Sequence, residues 1–394
     1  MALSGRAAIA VAAAMIGVLF AGSTMLTPLY IMYEQAFGFS KITLTLIYSV
    51  YVVGNLGALL FFGRASDVIG RRVTGLVAMA VGIVSALIFL FAETTVSLYI
   101  ARVISGLSIG IGAGTGTAWL AELIAGEDKG RASTLATSTN FLGLALGAAA
   151  AGLLAQYAPW PLRLSFIVYL AALLVVTGLV WRMPETVASA RDLHEVPLRP
   201  RLSVPRAIRA QFIAPAVTGF GALALVGFYA ALAPSILAQQ LHETSHAVAG
   251  ALFFELAIIV SGSIVATRSL SSRAAMLLAL GLMLPSAVLV VTAQLSASLA
   301  VMTAATAATA VCGMAAGLGF RGSLQVVNQI APADRRAEVV SSYLVCCFSG
   351  NALPVIGVGV ISTLAGAGIA SIAFAATIAV FALAALGFGL KYTR

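Results

Sequence analysis

Apolar residues fall in long blocks along this chain, each broken by a short polar or turn-rich stretch, and the blocks are apolar on every face. A helix crossing the hydrocarbon layer of a bilayer needs about 20 mainly apolar residues. The breaks predict twelve such helices, over about 8–33, 44–63, 73–92, 97–122, 133–157, 164–182, 210–238, 247–267, 274–294, 298–327, 338–362 and 366–390. Strands of a membrane barrel would be about ten residues long and strictly alternating. These blocks are twice that length, so a barrel is excluded and an all-α membrane protein is expected.

Composition agrees with the pattern. Of 394 residues 61% are hydrophobic and only 9% charged, against roughly a quarter charged in a soluble domain. Lipid must therefore be the solvent for most of the chain. The first apolar run, from about Ala7 to Tyr33, is too long for a signal-peptide core and leads into another span, so it reads as the first transmembrane helix.

The basic residues set the expected orientation. Eighteen of the 22 Lys and Arg fall on one side: Arg6; Arg64, Arg71, Arg72; Lys129, Arg131; Arg182, Arg191, Arg199, Arg201, Arg206, Arg209; Arg268, Arg273; Arg335, Arg336; Lys391 and Arg394. Only Lys41 and Arg163 fall on the other, with Arg102 and Arg321 inside spans. The positive-inside rule then puts both termini in the cytoplasm. This spread also accounts for the +9 balance without nucleic acid. The three cysteines, Cys312, Cys346 and Cys347, lie in apolar runs with no metal-ligand spacing, and read as small buried residues.

One segment stands apart. Residues 183–209 are polar, basic and hold four prolines. They divide the chain into an N-terminal bundle, 1–182, and a C-terminal bundle, 210–394, joined by a cytoplasmic linker whose basic residues suit topological retention or contact with anionic head groups. An internal repeat supports the division: the basic stretch from Gly126 and that from Ala331 each pass into a helix with spaced glycines, and Arg131 aligns with Arg336. Repeats of this kind place a substrate site between halves.

After the second span the chain reads Gly63-Arg64-Ala65-Ser66-Asp67-Val68-Ile69-Gly70-Arg71-Arg72. This resembles the signature of the major facilitator superfamily in the loop between helices two and three, with Val68 where the family usually has Arg or Lys. The resemblance implies a fold of two pseudo-symmetric six-helix bundles that alternately expose a central small-molecule site. It further implies a monomer in a bacterial-type inner (plasma) membrane, and a latch in which Asp67, Arg71 and Arg72 join the halves, with Arg335 and Arg336 on the same membrane face. The bare alternative makes Arg71 and Arg72 anchors only. Gly63 suits close backbone approach, Asp67 can accept from a helix N-terminus and from basic groups, and Glu122 and Arg131 flank the fourth span beside that cluster.

In the fifth span Gly143, Gly147 and Gly152 keep part of a glycine pattern common in exporters of this superfamily, with Ala148 in place of its proline. That resemblance favours an antiporter of drug-like molecules. Arg102 opens a glycine-rich stretch in the fourth span, where the family often has an Arg; it either assists proton transfer, holds a substrate anion, or snorkels outward. Glu255 lies within the eighth span. An ionised carboxylate there is costly, and a carboxyl poised near neutral pH suits proton coupling; a structural hydrogen bond is the alternative. Arg321, in span ten, is a candidate for anionic cargo, for pairing with Glu255, for snorkelling, or for joining the inner charge cluster. Tyr30 and Glu34 share a face after Pro28, which is expected to bend the first span, and could line an outer vestibule. Phe228 and Tyr229, near Pro234, are candidate cargo contacts by the same resemblance. His242 and His246 read as outer-loop residues.

No P-loop, nucleophile elbow, HExxH or CxxC occurs. ATP hydrolysis, enzyme chemistry and a cofactor are not expected, so a gradient or the cargo itself must drive transport, with protons the expected coupling ion. Efflux of amphipathic molecules is the leading expectation. Import of a small organic acid through Arg102 or Arg321, and a non-transporting receptor, are the rivals.

Overall fold

The computed structural model describes residues 3–124, 129–187, 202–232, 245–295 and 300–392. Pro234, His242, the start of the first repeat at Gly126, and Arg191, Arg199 and Arg201 of the linker lie outside the described residues, as does Arg394.

Among the described residues the regular structure is all helical, with twelve helices or helix pairs long and apolar enough to cross a membrane. The first span is broken. α1 (Gly5–Thr24) ends, a 3₁₀ turn covers Thr27–Leu29, and α2 (Tyr30–Phe37) completes it. Pro28 sits in that turn, where its missing N–H interrupts the helical ladder. Then come α3 (Lys41–Phe62), the short α4 (Ala65–Ile69), α5 (Arg71–Leu90), α6 (Thr95–Leu123), α7 (Lys129–Tyr157) and α8 (Pro161–Trp181). The second series is α9 (Arg209–Ala231), α10 (His246–Ala266), α11 (Ser272–Leu295), α12 (Ala300–Ile330), α13 (Arg336–Ala365) and α14 (Ala367–Tyr392). The expected spans and these helices agree to within several residues at most ends. His246 is the first residue of α10 rather than a loop residue, because Ser245 caps that helix by accepting from Val248 N–H.

The chain forms two compact units: residues 1–37 with 50–200, and residues 38–49 with 201–394. The first half of α3 thus clusters with the second series. There Tyr48 donates to Asn351 Oδ1 at 2.8 Å, and Gly359 lies against Thr45.

Within each unit, glycine lets helix backbones touch. A Cβ on Gly106 would lie 2.0 Å from the Tyr51 carbonyl oxygen, and one on Gly110 2.7 Å from that of Asn55, which welds α6 to α3. In the second unit a Cβ on Gly313 or Gly317 of α12 would lie 2.9 or 2.7 Å from the carbonyl oxygens of Leu256 and Val260 of α10. The two contacts repeat at an equivalent register. Lipid tails offer helices no hydrophobic drive to associate, so close van der Waals packing of small residues carries the contact.

Candidate functional site: a charged turn and two polar clusters

The turn after α3 is built around Gly70, which takes φ +100°, ψ 153°. That region of backbone space is open only to glycine. It aims α5 so that Arg71 points back into the unit, 7% exposed. Its guanidinium reaches Asp67 Oδ1 at 2.6 Å and Ser66 Oγ at 2.6 Å through Nη1, and Glu122 Oε1 at 3.1 and 2.7 Å through Nε and Nη2. Asp67 itself is more than half exposed, and Glu122 about a third. A mostly buried cation held by two carboxylates is costly to break, because removing one partner leaves charge uncompensated.

A further acid completes the cluster. Glu185, just past α8, accepts the Arg71 backbone N–H on Oε1 at 2.8 Å and the Arg72 N–H on Oε2 at 3.0 Å. It satisfies two orphan donors of α5 and places negative charge at that helix start. The neighbouring Thr186 hydroxyl donates to Glu122 Oε2, and Trp119 Nε1 donates to the Pro184 carbonyl at 3.2 Å. Sequence reading missed Glu185 and Thr186, which fell in the stretch assigned to the linker. An acid directly after an apolar span was the available signal.

The other expected members are placed as follows. Arg72 joins through its backbone. Arg131 is exposed in the first turn of α7. Gly63 is exposed at the end of α3, and its nearest neighbour is the carbonyl of Leu59 in its own helix; it ends a helix rather than packing against another. Arg335 and Arg336 start α13 in the second unit, where Arg335 lies 3.9 Å from exposed Asp334.

Arg102 is fully buried, not snorkelling. Its Nη1 donates to the Ser23 carbonyl at 2.6 Å and its Nη2 to the Tyr30 hydroxyl, while the guanidinium lies 5.7 and 5.9 Å from the Tyr30 and Tyr51 ring centres. The break at Pro28 matters here: α1 stops early enough to leave the Ser23 carbonyl for Arg102. Tyr30 is correspondingly 1% exposed, so it holds Arg102 rather than lining a vestibule. Glu34, one turn on, is half-buried.

In the second unit a polar cluster surrounds Tyr229. Thr309, Cys312 and Ser286 gather near its hydroxyl, and the Thr309 and Ser286 hydroxyls donate to the Ala305 and Leu282 carbonyls at 2.8 Å each. Thr309, Ser286 and Cys312 are fully buried. Glu255 is partly exposed, and among the described residues it has no hydrogen bond or ion pair. Phe228 is buried in a stack on Phe374, ring centres 4.5 Å apart.

Arg321 bonds to main-chain oxygens and not to Glu255. Its Nη1 donates to the Thr267 carbonyl at 2.7 Å, and Nη2 to those of Arg268 at 2.9 Å and Leu270 at 3.4 Å. The guanidinium holds the turn that follows α10 through three of its main-chain carbonyls.

The glycines of α7 face α1. A Cβ on Gly143 or Gly147 would lie 2.2 or 2.1 Å from the carbonyls of Gly17 and Ala21. Gly152 is buried further along α7. Gly350 of α13 meets the Phe220 carbonyl of α9 in the same way, at 2.2 Å.

Twelve apolar helices in two units, each fastened by the same glycine contacts, define a multi-pass membrane protein of transporter architecture. The family described as Major Facilitator Superfamily matches residues 12–355, and the chain belongs to it. In fold it is similar to a bacterial homolog of the human lysosomal transporter Spinster, with a TM-score of 0.73 at 14% identity, over 98% of this chain and 97% of that one. It is likewise similar to a D-xylose-proton symporter, with a TM-score of 0.74 at 16% identity and 98% of both chains covered. No curated protein matches the sequence.

Proposed function

We propose that this protein is a secondary transporter of the bacterial inner membrane that exports small amphipathic molecules by alternating access in exchange for protons, without acting as an enzyme. The observation that carries the reading is the charged turn. Asp67, Arg71 and Glu122 form one network around a glycine that only this backbone shape requires, at the loop where the superfamily signature lies. On this reading the network is the first unit's part of a latch, and Arg335 and Arg336 stand for the second unit's part. The α7 glycines on α1 support the antiporter type.

Glu255 carries the proton. It stands in an apolar helix with no protein cation beside it among the described residues, so neutrality depends on a bound proton or a cationic cargo. The import reading finds less support, because the Nη groups of both candidate arginines donate to protein oxygens.

Dye efflux from everted vesicles tests the proposal. An imposed pH gradient should drive dye movement, and Glu255→Gln should abolish the response to the gradient while dye binding persists. Gradient-independent flux in the wild type would remove proton coupling. Labelled organic-acid uptake in its place would reverse the direction.

A further inference from the structure

The charged turn of the first unit has a counterpart in the second that lacks its acids. Helices α5, α6 and α8 correspond to α11, α12 and α14. Ser272 stands where Arg71 opens α5, and it donates to Gln325 Oε1 at 3.1 Å, as Arg71 does to Glu122. Gln329 Nε2 in turn donates to Ser272 at 3.2 Å. Past α8 the first unit supplies the carboxylate of Glu185. The end of α14 instead supplies Lys391.

Where Glu185 fills the first unit, the second has a cavity of about 470 Å³. Its lining is Arg273, Lys391, Gln211, Gln329 and Tyr392, with Val326 and Ile330 as an apolar wall, and no acid among the lining residues. Two like charges share one concavity. Arg273 makes only a long contact, Nη2 to the Leu390 carbonyl at 3.4 Å, and its buried Nε has no partner among the described residues. Lys391 Nζ lies 5.2 Å from the Tyr392 ring centre and faces no acid in the lining. A cation pair without an acid, with carboxamide groups beside it, is the complement of an oxyanion, and the guanidinium fork suits phosphate.

We infer that this cavity binds an anionic phosphate group, which takes the place that Glu185 holds in the first unit. The volume exceeds what a bare ion needs, since a water occupies only about 30 Å³. The apolar wall therefore suits the glycerophosphate head of an anionic phospholipid, for which basic pockets between transmembrane helices are a known setting. Free phosphate has the same chemistry, so the test separates the two sources.

The full chain is reconstituted in phosphatidylcholine nanodiscs, whose head groups carry their own cation. Either phosphatidylglycerol is added to the lipid or inorganic phosphate to the buffer, at matched ionic strength. The thermal midpoint is read, since a ligand held only by the folded state raises it. A rise is expected in at least one arm, and the arm names the source. The rise should vanish in the Arg273→Gln/Lys391→Gln double variant and persist in Arg335→Gln. Gln329→Glu restores a carboxylate to the cavity and keeps both cations. It should raise the anion-free midpoint and weaken retention of the anion, read by native mass spectrometry, about tenfold, the equivalent of about 1.4 kcal/mol. No rise in either arm, an equal rise in the double variant, or unweakened retention by Gln329→Glu would overturn the inference. None of these readouts depends on transport.

Discussion

At Gly70 the chain holds φ +100°, and the space where a side chain would begin is already taken: a Cβ there would lie 2.6 Å from the Glu185 carboxylate. Gly70→Ala therefore carries two penalties, backbone strain of about 1–3 kcal/mol and displacement of the group that caps α5. The expected result is a lower thermal midpoint than that of Glu185→Gln, which loses part of the cap and none of the backbone freedom. Equal midpoints would mean that the backbone relaxes at no cost. Arg102 shows a related economy. Its charge is met by a main-chain carbonyl and a phenol, and by two ring faces, within one unit. Hydrogen bonds to a charged group contribute roughly 1.5–3 kcal/mol each, and they offset part of the cost of taking the cation out of water.

Among the elements, α3 and α6 touch backbone to backbone, as do α10 and α12. Gly106→Val should separate the first pair, because a carbonyl oxygen at 2.0 Å cannot swing aside as a side chain would. Gly114→Val, in the same helix, meets nothing within 4 Å and should be well tolerated. Comparing the two by thermal unfolding in detergent checks the claim, with a midpoint loss expected only at Gly106. A loss of equal size at both sites would point to helix propensity instead. Arg321 acts at this scale too. By tying α12 to the turn after α10 it serves architecture, and its guanidinium supplies donors to three main-chain carbonyls there.

For the whole molecule the claim open to test is orientation. Eighteen basic residues on one side against two on the other predict a cytoplasmic linker and cytoplasmic termini. In a background without Cys312, Cys346 and Cys347, Val187→Cys should react with a membrane-impermeant maleimide only after the cells are opened. Labelling of intact cells would invert the topology, and with it the side assigned to the charged turn and to the proposed phosphate site.

Hydropathy alone determined the twelve helices and the all-α class, because solvation by lipid depends on composition summed over about 20 residues and not on any neighbour. The turn from Gly63 to Arg72 was legible as well, since its residue types and spacing sit in a polar loop that stands out from apolar surroundings. What only the tertiary structure decided is which side chain meets which. A helix apolar on all sides shows no periodic face in its sequence, so nothing in the chain announced that Arg321 would bind the turn after α10 or that Tyr30 would turn inward to Arg102, and the acid after the sixth span carried no sign of which helix it would close over. Each of those pairings is set by helix rotation and packing distance, quantities that long-range contacts define and local sequence does not.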